Sequence, residues 1–115
     1  MTIAFLRDHC LSLPGVTEDT PFDPTTICFR VGGKIFAITD LENFEYVNLK
    51  CDPERSAELR ERYPGITPGY HMNKKLWNSV SVQGTVPDAL ILELIGHSYE
   101  LIRDSLPLKI RQNLG

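Results

Sequence analysis

Gly32–Gly33 is the sequence feature that most constrains how this chain can fold. The pair lies between two segments rich in β-branched and aromatic residues, 25–31 and 34–39. Two consecutive glycines can both adopt positive φ, which the tightest β-hairpin turns require. The sequence therefore predicts an antiparallel hairpin at this point.

The remaining segments separate into helices and strands by the spacing of their apolar residues. Helical spacing predicts helices over 2–13, 53–63 and from Pro87 to 105, with a last helical turn over 108–114. Alternation predicts strands over 44–50, 66–72 and 76–82, and turn-forming residues predict a loop over 16–24. The order α-β-β-β-α-β-β-α favours an α+β fold, in which helices pack on an antiparallel sheet.

Local signals add detail at the helices. Thr2 and Asp52 are expected to cap the first two helices, since their side-chain oxygens can accept from free backbone N–H groups. In the second helix, Ala57, Leu59 and Tyr63 are the expected inner contacts.

Composition limits the class of protein. A chain of 115 residues with 42% hydrophobic content fits one domain, 1–115. The net charge of −3 argues against a general nucleic-acid coat protein. The three cysteines form no CxxC pair and no zinc spacing, so no metal or cofactor is expected. Early charges and the lack of a long apolar run predict a cytoplasmic protein with no membrane segment.

The segment 69–78 carries the most distinctive chemistry. It reads Gly-Tyr-His-Met-Asn-Lys-Lys-Leu-Trp-Asn and lies within an acid-free run, 62–87. Cations can contact phosphates while aromatic rings stack on bases, so this composition fits a nucleic-acid contact. In that hypothesis Lys74 and Lys75 contact phosphates. Asn73 and His71 donate hydrogen bonds, and the ring of Trp77 or Tyr70 stacks on a base.

The same residues have plainer interpretations. Trp77 could fill the core, as a single tryptophan in a small domain usually does. Lys74 and Lys75 could form an ordinary solvated turn, and His71 could bond a neighbouring carbonyl at a strand end. These alternatives stay open at the level of the sequence.

Three further cations complete the hypothesis. Arg30 and Lys34 flank the glycine pair, and Lys50 ends a predicted strand. DNA binding predicts that they share one positive region with His71 and the Lys74–Lys75 pair. Side chains scattered among carboxylates would not support binding.

Several short blocks together resemble a known family. The most specific are Tyr70-His71-Met72-Asn73-Lys74, Trp77-Asn78-Ser79-Val80 and Val86-Pro87-Asp88, after Gly33-Lys34-Ile35-Phe36-Ala37. In this order they are similar to the MmcQ/YjbR family of small bacterial proteins. The resemblance implies a fold like that of type III secretion chaperones and DNA binding through two β wings. Fold alone does not establish that function.

Two other functions compete with DNA binding. The first is a protein-interaction or chaperone-like module, working as a monomer or weak dimer, whose partner meets a sheet face or the long helix. The second is catalysis at Cys51, which follows Lys50 at a helix start, with His71 as base. The usual nucleophile, nucleotide-binding and metalloprotease motifs do not occur in the sequence, so no enzymatic activity is expected.

Overall fold

The computed structural model describes residues 1–69 and 72–114, and all bounds below refer to that part of the chain. It contains one six-stranded antiparallel sheet and four helices. The strands are β1 (Val16–Asp19), β2 (Thr26–Val31), β3 (Lys34–Asp40), β4 (Tyr46–Lys50), β5 (Ile66–Pro68) and β6 (Trp77–Ser81). The helices are α1 (Ile3–Ser12), α2 (Pro53–Arg62), α3 (Asp88–Asp104) and α4 (Leu108–Gln112). The predicted α+β class is confirmed.

The strands follow the spatial order β1-β2-β3-β4-β6-β5. The predicted hairpin is formed by β2 and β3, and its turn residues Gly32 and Gly33 have φ of 58° and 82°. A β-bulge follows Phe29 in β2, where the pairing shifts by one residue on β3. Only glycine adopts such φ values without strain, which is why the pair determines the hairpin.

The helices cover one face of this sheet, which we call the covered face. Phe36 of β3 is fully buried there, and its ring meets that of Tyr99 of α3 edge-on at 5.5 Å. The Ser98 hydroxyl donates to the Phe36 carbonyl at 2.6 Å and accepts from the Lys50 N–H at 2.9 Å. One hydroxyl of α3 thus joins β3 and β4 just beyond their last paired residues, Ala37 and Leu49.

The loop predicted over 16–24 is wrong in its first half. Val16–Asp19 forms β1, an edge strand paired with β2. Its acidic residues obscured the strand pattern, yet each has a distant cationic partner. Glu18 accepts from Arg7 of α1 at 2.7 Å, and Asp19 accepts from Arg30 of β2 at 2.9 Å. Charged residues are common on edge strands, where they oppose pairing with other chains.

The helix caps are confirmed, but one inner contact is wrong. Thr2 and Asp52 accept from the backbone N–H groups of Phe5 and Arg55, both at 3.1 Å. In α2, Leu59 is buried as predicted, whereas Ala57 is exposed and Ser56 is buried in its place. The reason is a polar contact that hydrophobic spacing cannot predict: Ser56 accepts from the Asn78 amide of β6 at 3.1 Å.

The strand predicted over 66–72 ends at Pro68, and residues 70 and 71 lie outside the described part. The last helical turn is the short helix α4. A Cβ on Gly32 would lie 2.5 Å from Leu106 and 3.2 Å from Ile110, so this helix region packs directly on the hairpin turn. No helix in residues 1–69 and 72–114 is long and apolar enough to cross a membrane.

Candidate nucleic-acid interface

One end of the sheet gathers four lysines, Lys34, Lys50, Lys74 and Lys75, which we call the basic end. Ala37 pairs with Leu49, so Lys34, before Ala37, and Lys50, after Leu49, lie beyond the same end of that ladder. Lys50 in turn pairs with Trp77, the first residue of β6, and Lys74 and Lys75 directly precede that strand. Antiparallel pairing therefore places all four at one end.

The cations near the basic end differ in whether they are paired with a carboxylate. Among the described residues, no lysine takes part in an ion pair within 4.0 Å. Lys34, Lys74 and Lys75 are exposed, and Lys50 is half-buried. Arg30 differs, because its guanidinium contacts Asp19 at 2.9 Å and donates to the Gly33 carbonyl at 3.1 Å. Arg30 is thus partly neutralised and braces the hairpin turn.

Carboxylates gather at the opposite end of the sheet. Asp40 ends β3, Glu42 and Glu45 lie in the loop that follows, and Asp23 precedes β2. Asp23 accepts from the N–H groups of Thr26 at 2.7 Å and Thr25 at 2.9 Å, and these bonds lower the pKa of its carboxyl. The sheet therefore separates positive from negative charge along its strands, although the whole chain is acidic.

Arg60 organises the turn that carries Lys74 and Lys75. From α2 its Nε donates to the Asn78 Oδ1 at 2.7 Å, and its Nη2 donates to the carbonyls of Trp77, at 3.2 Å, and Lys74. Arg60 was not among the residues expected to form the site. Its role depends on acceptors from another element, and no local pattern reveals them.

Asn73 and Trp77 have roles that differ from the simplest expectation. The Asn73 Oδ1 accepts from the Lys75 N–H at 3.1 Å, so this side chain shapes the lysine turn.

Trp77 pairs with Lys50 and is half-buried on the sheet face opposite the core, which excludes the core-filling alternative. A Cβ on Gly69 would lie 2.9 Å from the Trp77 Cβ, so the backbone passes close beside this residue. His71, also predicted to contact DNA, lies outside the described residues.

Cys51 does not have the environment of an activated thiol. It is 3% exposed, and burial raises the pKa of its thiol above the usual value of 9.0, although Ser56 and nearby arginines act in the opposite direction. A nucleophilic cysteine needs the reverse shift. In the described part of the chain, no three His, Cys, Asp or Glu side chains form a group that could hold a metal ion.

Known proteins are similar to this chain over most of its length. The YjbR family model matches residues 11–101. The chain belongs to the YjbR family. It is 43% identical over 97 residues to "Uncharacterized protein YbdF" of Escherichia coli O157:H7, covering 84% of this chain and 80% of that one. It is 32% identical over 115 residues to "Uncharacterized protein YjbR" of Escherichia coli strain K12, covering 99% and 98%.

A solved YjbR-like structure shares the fold. The Deinococcus radiodurans protein DR2400, described with the family domain DUF419, superposes with a TM-score of 0.93 at 41% identity. The match covers 99% of this chain and 88% of that one. The family resemblance found in the sequence is therefore confirmed, together with a YjbR-like α+β fold.

Proposed function

We propose that this YjbR-family protein is a cytoplasmic protein that binds duplex DNA weakly through its basic end. The observation that carries the proposal is the convergence of four lysines without ion pairs, within the described residues, from two turns and one strand end. Cys10, Cys28 and Cys51 are buried and form no disulfide among the described residues, as is usual for cytoplasmic proteins.

The shape of the basic end suits contact with a backbone of phosphates. Two turns project there: the Gly32–Gly33 turn with Lys34, and the turn that Arg60 fixes below Lys74 and Lys75. Lys50 lies on the strand between them in the sheet. Lysines on separate turns can reach separate phosphates, and such contacts hold a protein on DNA without reading its sequence.

The expected affinity is low and depends strongly on salt. Four phosphate contacts correspond to a slope of about −3.6 in a plot of log K against log salt concentration. The acidic end opposes close approach in other orientations, so binding is expected in one orientation only. Trp77 lies beside Lys50 in the sheet, and we expect its ring to stack only where a base is unpaired.

Fluorescence anisotropy with a labelled duplex tests the proposal. We expect Lys74→Gln/Lys75→Gln to reduce the salt slope to about −1.8, because two counterion-releasing contacts are lost. Affinity at low salt falls in parallel. The variants should fold normally, since both side chains are exposed.

Arg62→Glu is the matched control, because it changes net charge by the same amount as the two neutralisations. Arg62 is exposed in the last turn of α2, at the far end of that helix from Asp52 and Lys50. Equal losses in the two variants would show a general charge effect and contradict a located contact. Binding that does not depend on salt would contradict the proposal outright.

The alternative function, a protein-interaction module, is supported by a different observation. On the covered face, helices contact the side chains of Glu18, Phe36 and Asn78. The other face of the sheet carries Tyr46, which is 46% exposed. A sheet face without helices is a common place for a protein partner. Pull-down of a defined protein partner, with no mobility shift of DNA, would favour this alternative.

A further inference from the structure

The face of the sheet opposite the helices, which we call the open face, has a regular order of side chains. Cross-strand pairing puts directly paired residues on the same face. A central row therefore runs across it through four successive pairings, from Asp19 to Cys28, Ile38, Asn48 and Ser79. Two residues from the row toward the basic end lie Arg30, Lys50 and Trp77, and two residues toward the acidic end lie Thr26, Asp40, Tyr46 and Ser81.

A groove opens at the acidic end of this face, with a volume of about 260 Å³. Its floor includes Ile38 and Asn48 of the central row, and Tyr46 provides an aromatic wall. Asp40 and Glu45 place carboxylates at its edge. Within the described residues, the Glu45 side chain has no ion pair. The groove combines one aliphatic side chain, Ile38, with an aromatic ring and two acidic residues, which suits the stem and ammonium group of a lysine.

A lysine suited to this groove lies on the same open face. Lys50 stands on β4, two residues from Asn48, and Tyr46 stands on the same strand two residues the other way. Each is roughly 7 Å from the central row along the strand. Consider two copies related by a two-fold axis that runs along the central row, across the strands. Their open faces then meet, and β4 of one copy lies antiparallel to β4 of the other. That rotation places Lys50 of each copy over the groove of the other.

We propose that the open face is a self-complementary surface that joins two copies of this chain, with Lys50 of one copy in the Asp40–Glu45 groove of the other. The central row tolerates the axis, because Cys28, Ile38, Asn48 and Ser79 are uncharged and meet their own counterparts. Asp19 at the edge is already paired with Arg30.

The size of the surface predicts weak association. Six strands spaced about 4.8 Å apart and about five residues long give a footprint of roughly 24 Å by 17 Å, or about 400 Å² per copy. The two copies together would bury about 800 Å², which is below the roughly 1,200–2,000 Å² of stable interfaces, so the dimer is expected to form only at high protein concentration. Since charge contributes much of its complementarity, added salt should weaken it.

Sedimentation equilibrium with charge-reversal variants tests the dimer. Lys50→Glu and Glu45→Lys are each expected to weaken self-association about tenfold or more, because like charges then meet across the axis. An equimolar mixture of the two variants should associate at least as well as the original protein. In the mixed pair, the introduced glutamate meets the introduced lysine on one side of the axis, and the original Glu45 meets the original Lys50 on the other. Opposite charges are therefore restored on both sides.

Lys109→Glu is the control, since Lys109 is exposed on α4, outside the open face. Trp77, the one tryptophan of the sequence, gives a second measurement, because its emission should shift on dilution if the open face becomes uncovered. A monomer at millimolar concentration, failure of the mixture to associate, or an equal effect of Lys109→Glu would overturn the proposal. Lys50 and Trp77 belong to both proposed surfaces, so a copy in the dimer cannot use them for DNA. Lys74 and Lys75 lie outside the paired strands and test DNA binding alone.

Discussion

The two faces of the sheet use polar side chains in opposite ways. On the covered face, Asn78 is buried and both ends of its amide are bonded, to Arg60 at 2.7 Å and to Ser56 at 3.1 Å. On the open face, Lys50 stands half-buried without an ion pair in the described part of the chain. Buried polar groups that are fully bonded specify a structure, whereas a charge left without a partner is available for binding.

This contrast separates stability from function within one layer of strands. Alternate residues of β4 face opposite sides, so Leu49 packs in the core while Lys50, its neighbour, faces away. Substitutions on the two faces should therefore change different measurements. The first of three expected outcomes tests that separation directly, and the other two measure polar contacts on the helix side.

The largest effect is expected from removing an aromatic ring on the covered face. Phe36→Ala should lower the free energy of unfolding by about 3–5 kcal/mol, because a fully buried ring is replaced by a cavity. Tyr46→Ala, on the open face, should cost about 1 kcal/mol or less, since nearly half of the residue is exposed to solvent. Urea denaturation followed by circular dichroism gives both values. Equal losses would show that the open face also belongs to the core.

A smaller effect is expected from removing the hydroxyl that joins β3 to β4. Ser98→Ala leaves the Phe36 carbonyl and the Lys50 N–H without the bonds that Ser98 supplies, at a cost of about 2–3 kcal/mol. Ser105→Ala is the matched control at the end of α3, where the hydroxyl bonds to the Ile102 carbonyl of its own helix and solvent is near. A Ser98→Ala protein as stable as the Ser105→Ala protein would contradict the bridging role.

The smallest effect concerns pH. His97 of α3 accepts from the Asp52 N–H at 3.2 Å, and burial followed by the charge of Arg55 lowers the pKa of its imidazole from 6.5. Three carboxylates nearby, Asp52, Glu93 and Glu100, act in the opposite direction. The unfolded chain therefore binds the proton first as pH falls, so stability present above pH 6.5 declines below it.

The decline should be about a few tenths of a kcal/mol by pH 5, because solvent screens a half-exposed side chain. His97→Gln keeps an acceptor for Asp52 and should flatten the curve in this window. Thermal unfolding at pH 7, 6 and 5 measures it. An unchanged pH dependence in the variant would assign the decline to other groups.

Local signals predicted much of this fold, and remote contacts account for what they missed. The Gly32–Gly33 turn and the apolar stripe of α3 depend on neighbours in sequence, so both were predictable. The strand β1 was not, because Arg7 and Arg30, which stabilise its acidic residues, are distant in sequence.

The candidate site shows the same limit. The sequence singled out the four lysines as candidates, and antiparallel pairing is what places them at one end of the sheet. The pairing of Arg30 with Asp19 and the bonds of Arg60 to the lysine turn both require knowledge of the folded chain. DNA binding itself stays a prediction.

The contact of Gly32 with Leu106 and Ile110 has a consequence for how the protein is made. A nascent chain leaves the ribosome amino terminus first, so the hairpin emerges before Leu106 and Ile110 have been synthesised. Until then, the side of the Gly32–Gly33 turn that Leu106 and Ile110 cover in the folded protein is exposed to water. Synthesis halted anywhere before Leu106 would leave a nascent sheet with nothing to close that flank, and so a substrate for chaperones and proteases.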